Sequence, residues 1–176
     1  MPVFTAISHD AFADDVRALA AALAADRDWQ PTFLIGIGRG GLVPAVYLSH
    51  ATGVPTLSCD LSSNVKDFAD DVLERLAHRT RPGAGGGERL LFVDDINDSG
   101  RTIGVLRAAL AKAGGVAAAI RFATLLDNSV SAERVDYRAR TIDRTVTKDW
   151  YVFPWEALAP TESIADDAAQ VPERIA

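Results

Sequence analysis

Apolar residues along this chain occur in two alternating arrangements. Short unbroken runs have the length and composition of buried strands, while the stretches between them carry apolar residues at helical spacing. The runs span residues 32–37, 54–59, 90–93 and 117–126, and residues 136–142 form a weaker candidate. Strands that alternate with helices predict an α/β fold, with a mainly parallel, twisted sheet flanked by helices on both faces.

The predicted helices carry their own start and stop signals. Ser8 can cap a first helix, and apolar residues then share one face of it: Phe12, Val16, Leu19 and Leu23. A second helix is predicted over residues 42–52, where Gly53 suits the left-handed residue that closes many helices. Helical spacing also occurs over residues 66–79 and from residue 103 onward.

Two adjacent carboxylates, Asp94 and Asp95, follow the third apolar run and precede a polar loop at residues 97–102. In an open α/β sheet, ligands bind at the carboxyl ends of strands. The loop offers backbone N–H groups, the hydroxyls of Ser99 and Thr102, and a helix N-terminus, which together suit a phosphate. The carboxylates suit sugar hydroxyls instead, so the segment predicts a ligand with a ribose diol and a phosphate. A cation site and an ordinary strand-turn-helix junction are the alternatives.

A glycine-rich loop, Gly38-Arg39-Gly40-Gly41, follows the first apolar run. Its glycines let the backbone approach a ligand closely, and Arg39 supplies a cation with a planar fork of donors. Taken alone, such a strand-to-helix turn is more often structural than functional. A binding role for this loop is therefore predicted only in combination with the acidic motif further along the chain.

Together these two loops resemble the signature motifs of the type I phosphoribosyltransferases. In that family, an acidic pair holds the ribose of phosphoribosyl pyrophosphate, the polar loop holds its 5′-phosphate, and the glycine-rich loop holds its diphosphate. The resemblance implies that the ribose lies on Asp94 and Asp95, which also contact Mg²⁺. It implies 5′-phosphate binding by Asp98, Ser99, Gly100, Arg101 and Thr102, and diphosphate binding by Gly38, Arg39, Gly40 and Gly41.

The family's chemistry implies two catalytic residues and one cofactor. Asp98 would be the acid/base near the base ring, and Arg39 would stabilise charge on the leaving diphosphate. The cofactor would be Mg²⁺, bound mainly through diphosphate and ribose oxygens with water completing its octahedron.

The segment from about residue 60 to 89 combines helical spacing over residues 66–79 with a glycine-rich end. In the family this region includes a flexible hood that closes over the active site and excludes water. On that basis we expect a mobile hood here, with Lys66 as a diphosphate contact. An exposed helix followed by a flexible connection is the alternative.

Aromatic residues concentrate between Lys148 and Glu156, against an aromatic content of 7% for the whole chain. The segment resembles the Trp-Ile-x-x-Pro-Trp-Asp/Glu stretch of xanthine-guanine phosphoribosyltransferases and their 6-oxopurine relatives. There the first aromatic residue stacks on the purine and the backbone of the next reads its edge, which implies Trp150 and Tyr151 here. An aromatic core contact or an oligomer contact is the alternative, and it accounts for Trp155.

One departure from the 6-oxopurine enzymes concerns a lysine that they place just after the fourth strand to contact O6 of the base. Here Asp127 or Asn128 stands at that place. Asn128 can donate through its amide, whereas Asp127 would favour a base with amino groups or ring N–H donors. Lys148 can supply the cation from another direction.

We therefore expect a purine phosphoribosyltransferase of nucleotide salvage, whose substrates are phosphoribosyl pyrophosphate and guanine, xanthine or hypoxanthine. Two alternatives stay open. One is a regulator that senses phosphoribosyl pyrophosphate with little chemistry of its own, and the other is a phosphoribosyltransferase for a non-purine or modified base.

Composition and charge indicate the number of domains, the cellular compartment and the classes of partner. The 176 residues are enough for one well-buried core, so we expect a single domain over residues 1–156 and an acidic extension over 157–176. The net charge of −6 argues against non-specific nucleic-acid binding. The single cysteine, Cys59, and the lack of an apolar run near the ~20 residues that span a bilayer favour a cytoplasmic protein with no membrane partner. A homodimer or higher homo-oligomer is expected, since dimers are common in the family.

Overall fold

The computed structural model describes residues 3–60, 66–83, 86–160, 162–164 and 168, with the backbone alone for residues 66–70. In chain order its strands are β1 (Phe4–Ala6), β2 (Phe33–Ile37), β3 (Thr56–Cys59), β4 (Leu90–Asn97), β5 (Ile120–Asn128), β6 (Tyr137–Ile142) and β7 (Trp150–Val152). Its helices are α1 (His9–Ala25), α2 (Leu42–Thr52), α3 (Lys66–Arg79) and α4 (Arg101–Lys112).

Five parallel strands form the central sheet, in the order β3-β2-β4-β5-β6. The predicted parallel α/β architecture is therefore confirmed. Strand β4 lies in the middle, and its side chains alternate between two buried clusters. Leu91 and Val93 pack with residues of α1 and α2, while Leu90 and Phe92 pack with residues of α3 and α4. Because helices cover both faces, the strands read as continuous apolar runs.

Strand β4 extends beyond the predicted run and ends at Asn97. Its polar end pairs with β5, so that Asp94 lies opposite Thr124 and Asn97 lies opposite Asp127. The Asn97 amide donates to Asp127 Oδ1 at 2.8 Å, which satisfies polar groups that the pairing buries. The two acids therefore lie within β4, and the sheet fixes their backbone.

A second, two-stranded parallel sheet joins β1 to β7, and the hydrophobic pattern did not predict it. Phe4 lies opposite Trp150, and the Ile7 N–H donates to Val152 O at 2.9 Å. Thr5 Oγ1 donates to Asp149 Oδ2 at 2.6 Å. These contacts hold the aromatic segment beside the start of α1, at the same end of the molecule as the polar end of β4.

Helix α3 packs one face against the sheet, where Leu73, Leu76 and Ala77 are buried. The alternative of an exposed helix therefore describes only the other face of residues 71–79. Residues 61–65 and the side chain of Lys66 lie outside the described residues, so the mobile hood remains a prediction. Within the part of the chain that the structure describes, no helix is long and apolar enough to cross a lipid bilayer.

Helix α1 begins where the sequence predicts, and its cap can be tested. Ser8 Oγ accepts a hydrogen bond from the Ala11 N–H at 3.1 Å, which satisfies one of the unpaired donors of the first turn. We expect Ser8→Ala to lower the free energy of unfolding by about 1 kcal/mol in urea titrations. Ser8→Asp should retain it, because aspartate caps equally well. Equal losses in both variants would contradict the cap.

Candidate active site

A cavity of about 720 Å³ lies at the carboxyl ends of β2 and β4. Three segments that are distant in the sequence meet in its wall. These are the glycine-rich loop through Gly38, Arg39 and Gly40, the acidic pair of β4, and Trp150 of β7. A smaller cavity of about 240 Å³ adjoins it and is lined by residues 94–103. The position agrees with the general location of ligand sites in open parallel sheets.

The glycine-rich loop contacts β4 so closely that its glycines are required. A Cβ atom added at Gly40 would lie 2.4 Å from Asp95 Oδ2, and one added at Gly41 would lie 2.1 Å from Val93 O. Gly38 has a positive φ of 53°, a conformation that residues with side chains rarely adopt. The loop and the acidic pair therefore form one unit, with backbone in direct contact.

The acidic pair sits in an electrostatically unfavourable setting. Burial, and next the charge of Glu156, raise the pKa of Asp95 to about 7. Burial and the charge of Asp95 raise the pKa of Asp94 well above its ordinary value. Asp60 also lines the cavity, and Arg39 is the single lysine or arginine among its described lining residues. Ligands that donate hydrogen bonds or bring a cation would relieve this repulsion.

The polar loop between β4 and α4 forms a cradle with a helix N-terminus. Gly100 precedes α4 with a positive φ of 87°, and a Cβ there would lie 2.6 Å from the Glu133 backbone N. Ser99 Oγ accepts from the Arg101 N–H at 3.3 Å. The side chains of Ser99, Arg101 and Thr102 are exposed beside the smaller cavity. Backbone amides and hydroxyls at a helix N-terminus favour an anion such as phosphate.

Asp98, directly after β4, is held by two residues from distant segments. The Asn128 amide donates to Asp98 O at 3.0 Å, and Arg144 Nε donates to Asp98 Oδ1 at 3.1 Å. The Arg144 side chain is only 9% exposed, and its guanidinium lies 5.2 Å from the centre of the Tyr151 ring. Arg144 was not predicted as a site residue, because a lone arginine after a weak strand candidate gives no signal of burial.

The aromatic segment serves both the core and the cavity. Trp150 and Trp155 line the cavity, and Trp155 also stacks on Phe153, with ring centres 4.9 Å apart. An edge-on contact between the rings of Trp155 and Phe12 joins Trp155 to α1. The predicted core role of Trp155 is therefore correct but incomplete.

The sequence matches the phosphoribosyl transferase domain over residues 5–159. The chain belongs to the phosphoribosyltransferase family. It is a phosphoribosyltransferase of the type I fold, as the two loops predicted. The match continues past Glu156, and Ala159 and Ile164 also line the cavity, so the beginning of the predicted acidic extension contributes to the cavity wall.

Several solved structures have a similar fold. The purine phosphoribosyltransferase of Pyrococcus horikoshii is 26% identical, over 87% of this chain and 94% of that one, with a TM-score of 0.62. The xanthine-guanine-hypoxanthine phosphoribosyltransferase of Helicobacter pylori is 17% identical, over 93% and 99%, with a TM-score of 0.63. A hypothetical protein from Neisseria gonorrhoeae with bound ppGpp is 20% identical, over 98% and 97%, with a TM-score of 0.64.

The predicted site residues of this phosphoribosyltransferase divide into three groups, apart from Lys66, whose side chain lies outside the described residues. Those brought together around the two cavities are Gly38, Arg39, Gly40, Asp94, Asp95, Asp98, Ser99, Gly100, Arg101, Thr102 and Trp150. Gly41 is buried behind the loop. Tyr151, Asn128 and Lys148 are not among the described residues that line either cavity.

Two further acids in the cavity wall were not singled out from the sequence. Asp60 directly follows β3, and its place at the carboxyl end of a parallel strand is a signal that could have identified it. Glu156 occupies the acidic position of the aromatic motif, and its Oε2 accepts from the Phe153 N–H at 2.9 Å.

The raised pKa of Asp95 predicts a stability change with a definite sign. The folded protein holds this proton up to about pH 7, whereas the unfolded chain releases it near pH 4, so ionisation opposes folding as the pH rises between these values. In the protein without ligands, we expect Asp95→Asn to raise the free energy of unfolding on the order of 1–3 kcal/mol at pH 8. The gain should shrink at pH 4, as measured by urea titration. A gain that does not depend on pH would contradict the assignment.

Proposed function

We propose that this phosphoribosyltransferase transfers phosphoribose from phosphoribosyl pyrophosphate to a 6-oxopurine base, releasing diphosphate, as a step of purine salvage. The observation that carries the proposal is the single cavity in which the Arg39 loop, the acidic pair and Trp150 meet. Two of the solved structures similar to this chain carry names that specify purine or xanthine-guanine-hypoxanthine phosphoribosyltransferases, which supports a purine acceptor.

The phosphoribose is assigned to β4 and the loop that follows it. Asp94 and Asp95 accept hydrogen bonds from the ribose hydroxyls, and residues 98–102 hold the 5′-phosphate in the smaller cavity. Since the sheet fixes the acids and the helix fixes the loop, the sugar is clamped at both ends. Binding energy from the unreactive phosphate then positions C1′ for attack.

The diphosphate is assigned to the loop at residues 38–41. Arg39 and the amides of Gly40 and Gly41 would stabilise the negative charge that develops as the bond to C1′ breaks. In this proposal Lys66 adds a further contact from the hood. The leaving diphosphate gains a further negative charge as its bond to C1′ breaks, and beside the acidic pair it needs more positive charge than Arg39 alone provides.

Mg²⁺ fits the donors of this wall, because Asp94 and Asp95 offer the hard oxygen ligands that it prefers. The described residues contain no group of three or more His, Cys, Asp or Glu side chains arranged to hold a metal. The ion would therefore be shared between these carboxylates, substrate oxygens and water. When bound, it supplies charge neutralisation for the leaving diphosphate.

The acceptor base is assigned to Trp150, whose ring offers a stacking face, and to the backbone of Tyr151. Lys148 is exposed at the start of the aromatic segment and is the proposed cation for a base carbonyl. Asn128 would act through Asp98 rather than on the base, because its amide already donates to Asp98 O.

In the reaction, a ring nitrogen of the stacked base attacks C1′ while the bond from C1′ to diphosphate breaks. The electron pair of that bond leaves with the diphosphate, and the proton of the ring nitrogen passes to the Asp98 carboxylate. Exclusion of water protects the electron-poor sugar carbon during the exchange.

A base panel tests the proposal. The protein is incubated with phosphoribosyl pyrophosphate, Mg²⁺ and single bases, and diphosphate release is measured. We expect release with guanine, xanthine or hypoxanthine, and a fall in kcat of about 10²–10⁴-fold in Asp98→Ala. Release without any base would contradict transfer. Tight binding of phosphoribosyl pyrophosphate with no release on any base would favour the regulator, and release only with pyrimidines or modified bases would favour the other acceptor class.

Trp150 supplies a second test, directed at the acceptor half alone. Loss of a stacked aromatic face removes about 1–3 kcal/mol of base binding. We therefore expect Trp150→Ala to raise KM for the base by about 10-fold or more, and KM for phosphoribosyl pyrophosphate by less than about 3-fold. Trp150→Phe keeps a ring face and should stay near the native values. Equal increases in both constants would contradict a stacking role.

A further inference from the structure

Arg144, between β6 and β7, is a cation buried in the interior of the protein. Its side chain is 9% exposed, and a guanidinium in such a place is tolerated only where hydrogen bonds and charge partners surround it. Its contacts are therefore informative about why the fold keeps it. They come from three segments that the sequence places far apart.

The two edges of the guanidinium bind different parts of the site. On one edge, Nε donates to Asp98 Oδ1 at 3.1 Å. On the other edge, Nη1 donates to Asp149 O and, at 3.4 Å, to Thr147 O. The Arg144 backbone N–H donates to Asn128 Oδ1 at 3.2 Å, and Asn128 in turn holds Asp98 O.

One donor remains on the edge that faces Asp98. Nη2 lies on the same side of the guanidinium as Nε, it is buried, and it has no hydrogen-bond partner among the described residues. Arginine holds carboxylates most firmly when two N–H groups on one edge engage both oxygens. Nη2 therefore lies on the edge that already binds Asp98, where a second hydrogen bond to this carboxylate would complete a two-point hold.

We propose that Arg144 is a positioning residue that holds the Asp98 carboxylate and the Trp150 base platform in one fixed geometry. The inference rests on the proposed transfer to a base that stacks on Trp150. Asp149 immediately precedes Trp150, so one edge of Arg144 orients the proton acceptor and the other orients the segment that carries the base. Arg144 acts through both of them and touches neither substrate.

The proposed reaction makes this positioning measurable as a change in kcat. Asp98 can take the ring proton only if the base and the carboxylate are aligned, and a displacement of about 1 Å can reduce the rate about 100-fold. Lysine cannot replace Arg144 fully, because an ammonium group cannot donate hydrogen bonds from two opposite edges as a guanidinium group does. A free guanidinium ion can donate in this way, so it can occupy the space that the side chain leaves in Arg144→Ala.

The test uses the full-length protein with phosphoribosyl pyrophosphate, Mg²⁺ and the best base of the panel. For Arg144→Ala we expect kcat to fall about 100-fold, while KM for phosphoribosyl pyrophosphate changes less than about 3-fold. Added guanidinium chloride should then raise the kcat of this variant by at least about 10-fold. An equal concentration of sodium chloride controls for salt. Arg144→Lys keeps the charge and most of the volume, and should lose about 10-fold in kcat with full binding of phosphoribosyl pyrophosphate by calorimetry.

Arg140→Ala is the matched control. Arg140 donates from Nε and Nη2 to Asp15 at 2.8 and 2.7 Å, so its loss also leaves a buried carboxylate without its arginine. The pair joins β6 to α1, and neither residue lines the described cavity wall. We expect this variant to lower Tm without changing kcat by more than about 3-fold.

The outcomes distinguish a failure of the proposed function from a failure of the positioning role. If the native protein transfers no purine, the proposed function fails, and the positioning role falls with it before any variant is measured. If the native protein is active but Arg144→Ala keeps kcat within about 3-fold, the positioning role alone is overturned. It is also overturned if kcat falls only in proportion to the folded fraction, with no response to guanidinium and no deficit in Arg144→Lys.

Discussion

Gly40 and Gly41 approach strand β4 so closely that a side chain of any size would collide with the backbone carbonyl of Val93 or with the Asp95 carboxylate. This contact fixes where helix α2 begins relative to the central strand. It also brings the Arg39 loop beside the acidic pair, although Gly40 and Asp94 are far apart in the sequence. A site for a ligand with both a diphosphate and a sugar requires that proximity, so the rest of the geometry depends on it.

The same contact has an electrostatic consequence. Two carboxylates at the end of a buried strand, with Glu156 nearby, lose hydration and repel one another, which raises the pKa values of Asp94 and Asp95. The fold keeps them although a neutral pair would be more stable near neutral pH. Ionisable groups whose burial and mutual repulsion oppose folding are typical of binding sites, where a ligand supplies the missing interactions. For the proposed function, ribose hydroxyls and Mg²⁺ are such partners.

Much of the fold, together with the loop and the acidic pair that meet at the cavity, could be predicted because the signals are local. An apolar run, two acids, a polar loop and a helix follow one another within residues 90–110, and each position has a meaning that neighbouring residues define. The sheet of β1 and β7 gives no such signal, since its two three-residue strands pair across a separation of more than 140 residues. Arg144 is similar, because its burial depends on Asp98 and Asp149 meeting in space.

This difference between local and distant contacts divides the proposed site into two halves. The groups assigned to the donor lie on β2, β4 and the start of α4, which the sheet and the Gly41 contact hold rigidly. The groups assigned to the acceptor lie on the segment from Arg144 to Glu156, which is placed by the pairing with β1 and by the hydrogen bonds of Arg144. Asp127 and Asn128, the last residues of β5, stand where the resembling enzymes carry a lysine, and here they bind Asn97 and Asp98. For the proposed function, substitutions within residues 148–155 would therefore alter the choice of base while the groups assigned to the phosphoribose stay in place.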